Sequence, residues 1–133
     1  MRSQMALALA FAALSGCARQ TPMPDAFSEN LAGWHRIAVR EIAVSRPPDP
    51  IPAANIEAIR AAAYEGPGKL EARVYALPSP AVALDVAQRW TPRPETVFFY
   101  ADRFFIVVQW QTADKKSLQT FVSELQKRFA RKA

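Results

Sequence analysis

A chain of 133 residues, half of them hydrophobic and 22% charged, fits one domain built around one core. Its formal net charge of +5 and pI near 9.8 give a surface mildly attracted to phospholipid head groups and other polyanions. The single cysteine excludes an intrachain disulfide framework and any multi-cysteine metal site, and eleven prolines against four glycines stiffen the connections.

Arg2 provides a short positive start, Met5 to Leu14 an unbroken apolar run, and Ser15 and Gly16 the small residues before Cys17. These are the three parts of a secretory signal, here residues 1–16. The run is too short to remain in a hydrocarbon core of about 30 Å, which takes about 20 apolar residues. Leu14-Ser15-Gly16-Cys17 resembles the lipobox of bacterial lipoproteins at all four positions. The resemblance implies that the Cys17 thiol is joined to a diacylglyceryl group, that the signal is cut immediately before it, and that the new amino terminus is acylated. Two or three acyl chains bury methylenes at roughly 0.8 kcal/mol each and hold a protein for long times, whereas one chain holds it only marginally. The small residues also permit ordinary signal cleavage after Ala18, which would release a soluble chain without cysteine. Ala18 is not the aspartate that retains lipoproteins at the inner membrane in some bacteria. A periplasm-facing place in the cell envelope, with the outer membrane favoured over the inner, is the resulting expectation.

Residues 17–30 then read as the lipidated cysteine and a spacer, with Pro22 and Pro24 and no periodicity, leaving 31–133 as a single domain. Arg36 to Val44 is rich in β-branched residues and predicts a strand whose alternation slips at Arg40-Glu41, where a bulge or an exposed edge would absorb the slip. Arg46-Pro-Pro-Asp-Pro-Ile-Pro52 predicts a rigid connector, because proline lacks the donor that a sheet ladder needs. Pro52 fits the first turn of a helix reaching about Tyr64, with Ile56, Ile59 and Ala63 on one face and Gly66-Pro67-Gly68 as its stop. From Lys69 to Leu77 the alternation is clean, with Leu70, Ala72, Val74 and Ala76 on one side, and predicts a half-buried strand.

Ser79 and Pro80 read as the cap and first turn of a helix in which Ala83, Val86, Ala87 and Trp90 recur at helical spacing, ended by Thr91 to Pro94. Glu95–Ala101 and Arg103–Gln111 predict two strands around a tight turn near Asp102, apolar enough to form the centre of the sheet. Asp114 can cap a last helix whose Leu118, Phe121, Val122, Leu125 and Phe129 make one apolar stripe. Its other face carries Lys115, Lys116, Lys127, Arg128, Arg131 and Lys132, the last four suited to the negative end of the helix dipole. The order β-α-β-α-β-β-α predicts an α+β domain: a mostly antiparallel sheet of about four strands with helices packed on one face.

Helices on one side would leave Phe98, Tyr100, Phe105 and Val107 on the other in need of a cover, which makes them the candidate binding surface for an envelope protein or an apolar ligand. Lys127, Arg128, Arg131 and Lys132 are candidate contacts to anionic lipid beside the tether, against the simpler reading of a solvated, dipole-matched helix face. His35 is the sole imidazole and shows no nucleophile or orienting carboxylate in its pattern; no catalytic residue is assigned. With no second histidine and no closely spaced carboxylate pair, no metal or other cofactor is called for. A membrane-held secreted protein would not meet nucleic acid, and no aromatic-basic recognition motif is present.

Gly33-Trp34-His35-Arg36, Val74-Tyr75-Ala76-Leu77 and the alanine-rich stretch Ala81 to Trp90 together resemble uncharacterised bacterial envelope proteins with a small α+β domain, over most of residues 31–130. That resemblance implies no catalytic residues. The expectation is a lipid-anchored, non-catalytic binding module; the alternative is an enzyme or enzyme accessory acting on envelope glycans or lipids, with His35 or scattered carboxylates taking part.

Overall fold

A computed structural model describes residues 22–130; the signal segment, Cys17, Arg131 and Lys132 lie outside the described residues. Six strands, β1 (Asn30–Leu31), β2 (Trp34–Ile42), β3 (Ala58–Glu65), β4 (Lys69–Ala76), β5 (Thr96–Ala101) and β6 (Phe104–Thr112), form one curled, half-barrel sheet in the order β1-β2-β3-β4-β6-β5. Every neighbouring pair is antiparallel. Among the described residues, two α-helices complete it, α1 (Pro80–Arg89) between β4 and β5, and α2 (Lys115–Ala130) after β6.

The expectation of about four strands with helices on one face is corrected on both counts. The helices lie on opposite faces. Leu118, Phe121, Leu125 and Phe129 of α2 pack with Leu70, Ala72, Val74, Ile106 and Val108. Ala83 and Val86 of α1 pack instead with Ile59, Tyr75, Phe105 and Val107. Successive strand residues point to opposite faces, so these alternating sets define two layers of core.

The helix predicted from Pro52 to Tyr64 is a short 3₁₀ turn, Ala53–Asn55, followed by β3. Alanine favours helices by only a few tenths of a kcal/mol over most residues, and pairing on both sides outweighs that. Between β2 and β4, Ala61 and Ala62 are completely buried on opposite faces, where small side chains allow close packing above and below the sheet. Gly66 and Gly68 accordingly close a β3–β4 hairpin instead of stopping a helix. Gly68 is required there: a Cβ would sit 1.8 Å from the Thr112 carbonyl oxygen.

The bulge in β2 falls at Ile37, between Arg36 and Ala38, where the register against β3 shifts. Packing begins ahead of β1, with Ala26 and Phe27 each 3% exposed in the α2-side core and Met23 packed against it. Arg36 donates to the Phe27 carbonyl and Tyr64 to that of Ser28 at 2.7 Å, pinning this leading segment to the sheet. On the same face, Trp34 and Tyr64 both meet Phe121 edge-on, and Trp34 Nε1 donates to Ser117 O at 3.2 Å.

Candidate functional site

The alternation of β4 places Glu71, Arg73 and Tyr75 on the α1 side of the sheet. Sequence pattern assigns that side to solvent, yet Arg73 is 3% exposed and Tyr75 fully buried. The reason is Asp49, carried over them by the proline-rich connector. Its carboxylate accepts from Arg73 Nε at 2.7 Å and Nη2 at 2.8 Å, and also from the Tyr75 hydroxyl and Arg93. Arg73 further donates to Glu71 at 2.8 Å and Gln109 at 2.9 Å, and Glu71 accepts from Arg40. Charges alternate along this chain, from Arg40 through Glu71, Arg73 and Asp49 to Arg93. Burial alone would raise the Asp49 pKa, but the hydrogen bonds from Arg73, Tyr75 and Arg93 outweigh it and hold the carboxyl below its ordinary value. An inaccessible carboxylate saturated by donors is built to fasten the connector, with nothing free to offer a substrate.

The same connector and α1 supply the cover that the sequence requires for the second sheet face. Phe105 and Val107 are completely buried beneath them, and Phe98 is half-buried, 5.1 Å centroid to centroid from Phe105. Trp90, at the end of α1, lies 5.5 Å from Phe98 and 5.3 Å from Phe105, with the Arg93 guanidinium 5.0 Å above its ring. Of the four predicted surface residues, Tyr100 alone is exposed, at 42%.

An open apolar surface lies instead on the α2 side. A groove of about 490 Å³ runs between α2 and the β5 edge, lined by Val97, Trp110, Leu118 and Val122, with Lys115 and Gln119 among its polar margins. Beside it, among the described residues, β5 ends the sheet and pairs with β6 only. The two long outer strands are guarded differently. Past the short β1, β2 carries a bulge at Ile37 and the charges of Arg40 and Glu41, devices that discourage further pairing. In β5, Thr-Val-Phe-Phe-Tyr-Ala has no charge, no proline and no register shift. Its backbone can accept another strand, whose side chains on the α2 face would enter the groove. The lack of charge in Thr96–Ala101 was the available sequence signal; the hairpin pattern pointed to the sheet centre, and only the order of strands places β5 outermost.

The basic end of α2 is where the leading segment arrives. Arg128 donates to the Ser28 hydroxyl at 2.6 Å, whereas Lys127 is exposed and pairs with Glu124 at 3.1 Å. Burial raises the pKa of the Tyr64 hydroxyl, which donates to Ser28 O, to about 12, against the nearby positive charges of Arg36 and Arg128. His35 lies on β2 with its Nδ1 3.2 Å from Asn30 Oδ1, in an exposed strand pair away from the buried ion cluster. Among the described residues, no three histidine, cysteine or acidic side chains converge as metal ligands, and no helix is long and apolar enough to cross a membrane. No protein-family model matches the chain, nor does any curated protein or solved structure.

Proposed function

We propose that this protein is a lipid-anchored component of the bacterial cell envelope, facing the periplasm, that acts by binding a neighbouring envelope protein and not by catalysis. The anchor rests on the tetrapeptide ending at Cys17. The binding role is carried by one observation: the unguarded outer edge of β5 runs beside the apolar groove formed with α2. An edge of unpaired backbone groups next to alternate-residue pockets suits an extended polypeptide segment, with main-chain bonds supplying affinity and the groove selecting apolar side chains. A lipid tether assists by confining both partners to one surface, which raises their effective concentration.

Two measurements test this. Labelled palmitate supplied to the native host should enter the wild-type chain and not Cys17→Ser; no incorporation into either would end the anchoring proposal. A photo-reactive side chain at Thr96 should form a discrete adduct with one envelope protein, and Tyr100→Lys, which charges the same edge, should abolish it without lowering the melting temperature. An adduct unaffected by the charged edge would remove β5 as the binding site.

A further inference from the structure

We infer that the sheet carries a second binding site, separate from the β5 edge: a cleft on its α1 side that takes one ring of a neutral saccharide. Where α1 packs, over Tyr75, Phe105 and Val107, that face is closed. Further along the same strands it opens. Ala63, Glu71 and Gln109 stand there in one cross-strand row, neighbours about 4.8 Å apart, and with Ile37, Lys69 and Gln111 they line a cleft of about 400 Å³. Volumes of about 300–1,000 Å³ are usual for small-ligand clefts.

The described sheet shifts register twice. One shift leaves Ile37 unpaired in β2, and the other leaves Gln111 unpaired in β6, between Trp110 opposite Leu70 and Thr112 opposite Lys69. Both bulged residues line this cleft. A bulge interrupts the ladder and re-aims a side chain, and such features gather beside functional sites.

The polar wall is held from behind by the buried ion cluster. Arg73 Nη2 donates to Gln109 Oε1 at 2.9 Å. A guanidinium cannot accept, so the Gln109 oxygen must face it and the NH2 group turns away, with no partner among the described residues. Glu71 takes one bond from Arg73 and one from Arg40, and a carboxylate can accept about four. An acceptor and a donor, both fixed, thus sit side by side on neighbouring strands. A hydroxyl donates and accepts at once and satisfies both. Exposed Ile37 and half-buried Ala63 offer the apolar patch on which the C–H face of a sugar ring can lie. Charge then narrows the class. Arg40, Lys69 and Arg73 are matched by Glu71, Asp49 and Glu65, the last directly opposite Lys69 on β3, so the cleft favours neither an acidic nor a basic ligand. An extended peptide fits less well, because the main chain beneath is committed to the β3–β4–β6 ladders and has no edge to share.

The test uses the full chain as its host processes it, labelled with ¹⁵N and purified in a phosphocholine detergent, which contains no sugar. Maltotetraose and the tetramer of N-acetylglucosamine are each titrated to millimolar concentration, with tetragalacturonate as the acidic counterpart. At least one neutral tetramer should shift the side-chain amide signals of Gln109 and Gln111 saturably, and bind about tenfold more tightly than the uronate. Gln109→Leu should weaken that binding about tenfold, as the loss of one or two hydrogen bonds implies. Gln111→Ala, which leaves the ion cluster intact, should weaken it about threefold, and it decides the matter if Gln109→Leu does not fold. No saturable shift with either neutral tetramer, shifts centred away from the cleft, equal or tighter binding of the uronate, or unchanged affinity in either folded variant overturns the inference. The β5 edge is untouched by any of these outcomes.

Discussion

Asp49 and Arg73 form a two-point ion pair inside the protein, 2.7 and 2.8 Å between partner atoms, with side-chain exposures of 0% and 4%. The pair joins a proline-rich connector to the middle of β4 and roofs one side of the sheet. Removing Asp49 leaves Arg73 buried with Glu71 as its remaining carboxylate and Arg93 and the Tyr75 hydroxyl without their acceptor, and breaking a buried charge cluster in this way costs about 3–5 kcal/mol in comparable sites. Asp49→Ala should lower stability by that amount in urea unfolding, and a loss under about 1 kcal/mol would show that the connector holds without it.

The same carboxylate sets an acid limit. Its folded pKa lies below the ordinary 3.8, so its contribution is present above that value and is lost as pH falls through the lower folded value. Stability measured from pH 7 downward should hold near pH 5 and drop below pH 4. In Asp49→Asn this part of the drop should vanish.

Tyr64 predicts an alkaline counterpart. Its hydroxyl is neutral in the fold up to about 12, against an ordinary 10.0, so the stability it lends is complete below pH 10 and disappears as pH rises through 12. Tyr64→Phe also removes the bond to Ser28 and should cost about 1 kcal/mol. Amide exchange in residues 25–28 should quicken in this variant; unchanged exchange would show that the segment is held by other contacts.

Phe105 and Tyr100 separate core from surface on one sheet face. Phe105→Ala should lose about 3–5 kcal/mol, because Trp90, Phe98 and α1 close over it. Tyr100→Ala should stay within about 0.5 kcal/mol of wild type. Similar losses for the two would mean that α1 does not cover that face as described.

Gly68→Ala tests the hairpin. The added methyl would collide with the Thr112 backbone, forcing the β3–β4 turn away from β6, with an expected loss of about 3 kcal/mol in thermal unfolding. A neutral substitution would place the turn elsewhere.

His35→Ala addresses the enzyme alternative. Its ring is exposed and, among the described residues, bonded to Asn30 alone, so the replacement should leave both the fold and the biological role intact. A folded variant that loses the role would favour catalysis.

Local signals were legible where one segment carries its own instructions. Ser79 caps α1 by accepting from Val82 N, and Asp114 caps α2 by accepting from Ser117 N. The stripe from Leu118 to Phe129 packs as its spacing predicts, and β4 spans nearly the whole of the predicted strand. The reading failed at Ala58–Glu65, where alanine spacing satisfies a helix and a doubly buried strand equally well. The ion cluster was invisible because Asp49 is 24 residues from Arg73 and 44 from Arg93, and no local pattern pairs them.

From the amino-acid order alone came the helix caps, the apolar stripe, the turn residues and the short motif at Cys17, all of which depend on neighbours within a few positions. Tertiary structure alone decided which strand lies outermost, which face each helix covers and which arginine a buried aspartate meets. The physical reason is that burial and pairing are set by distant segments: a side chain learns whether it faces water only when another part of the chain arrives to exclude it.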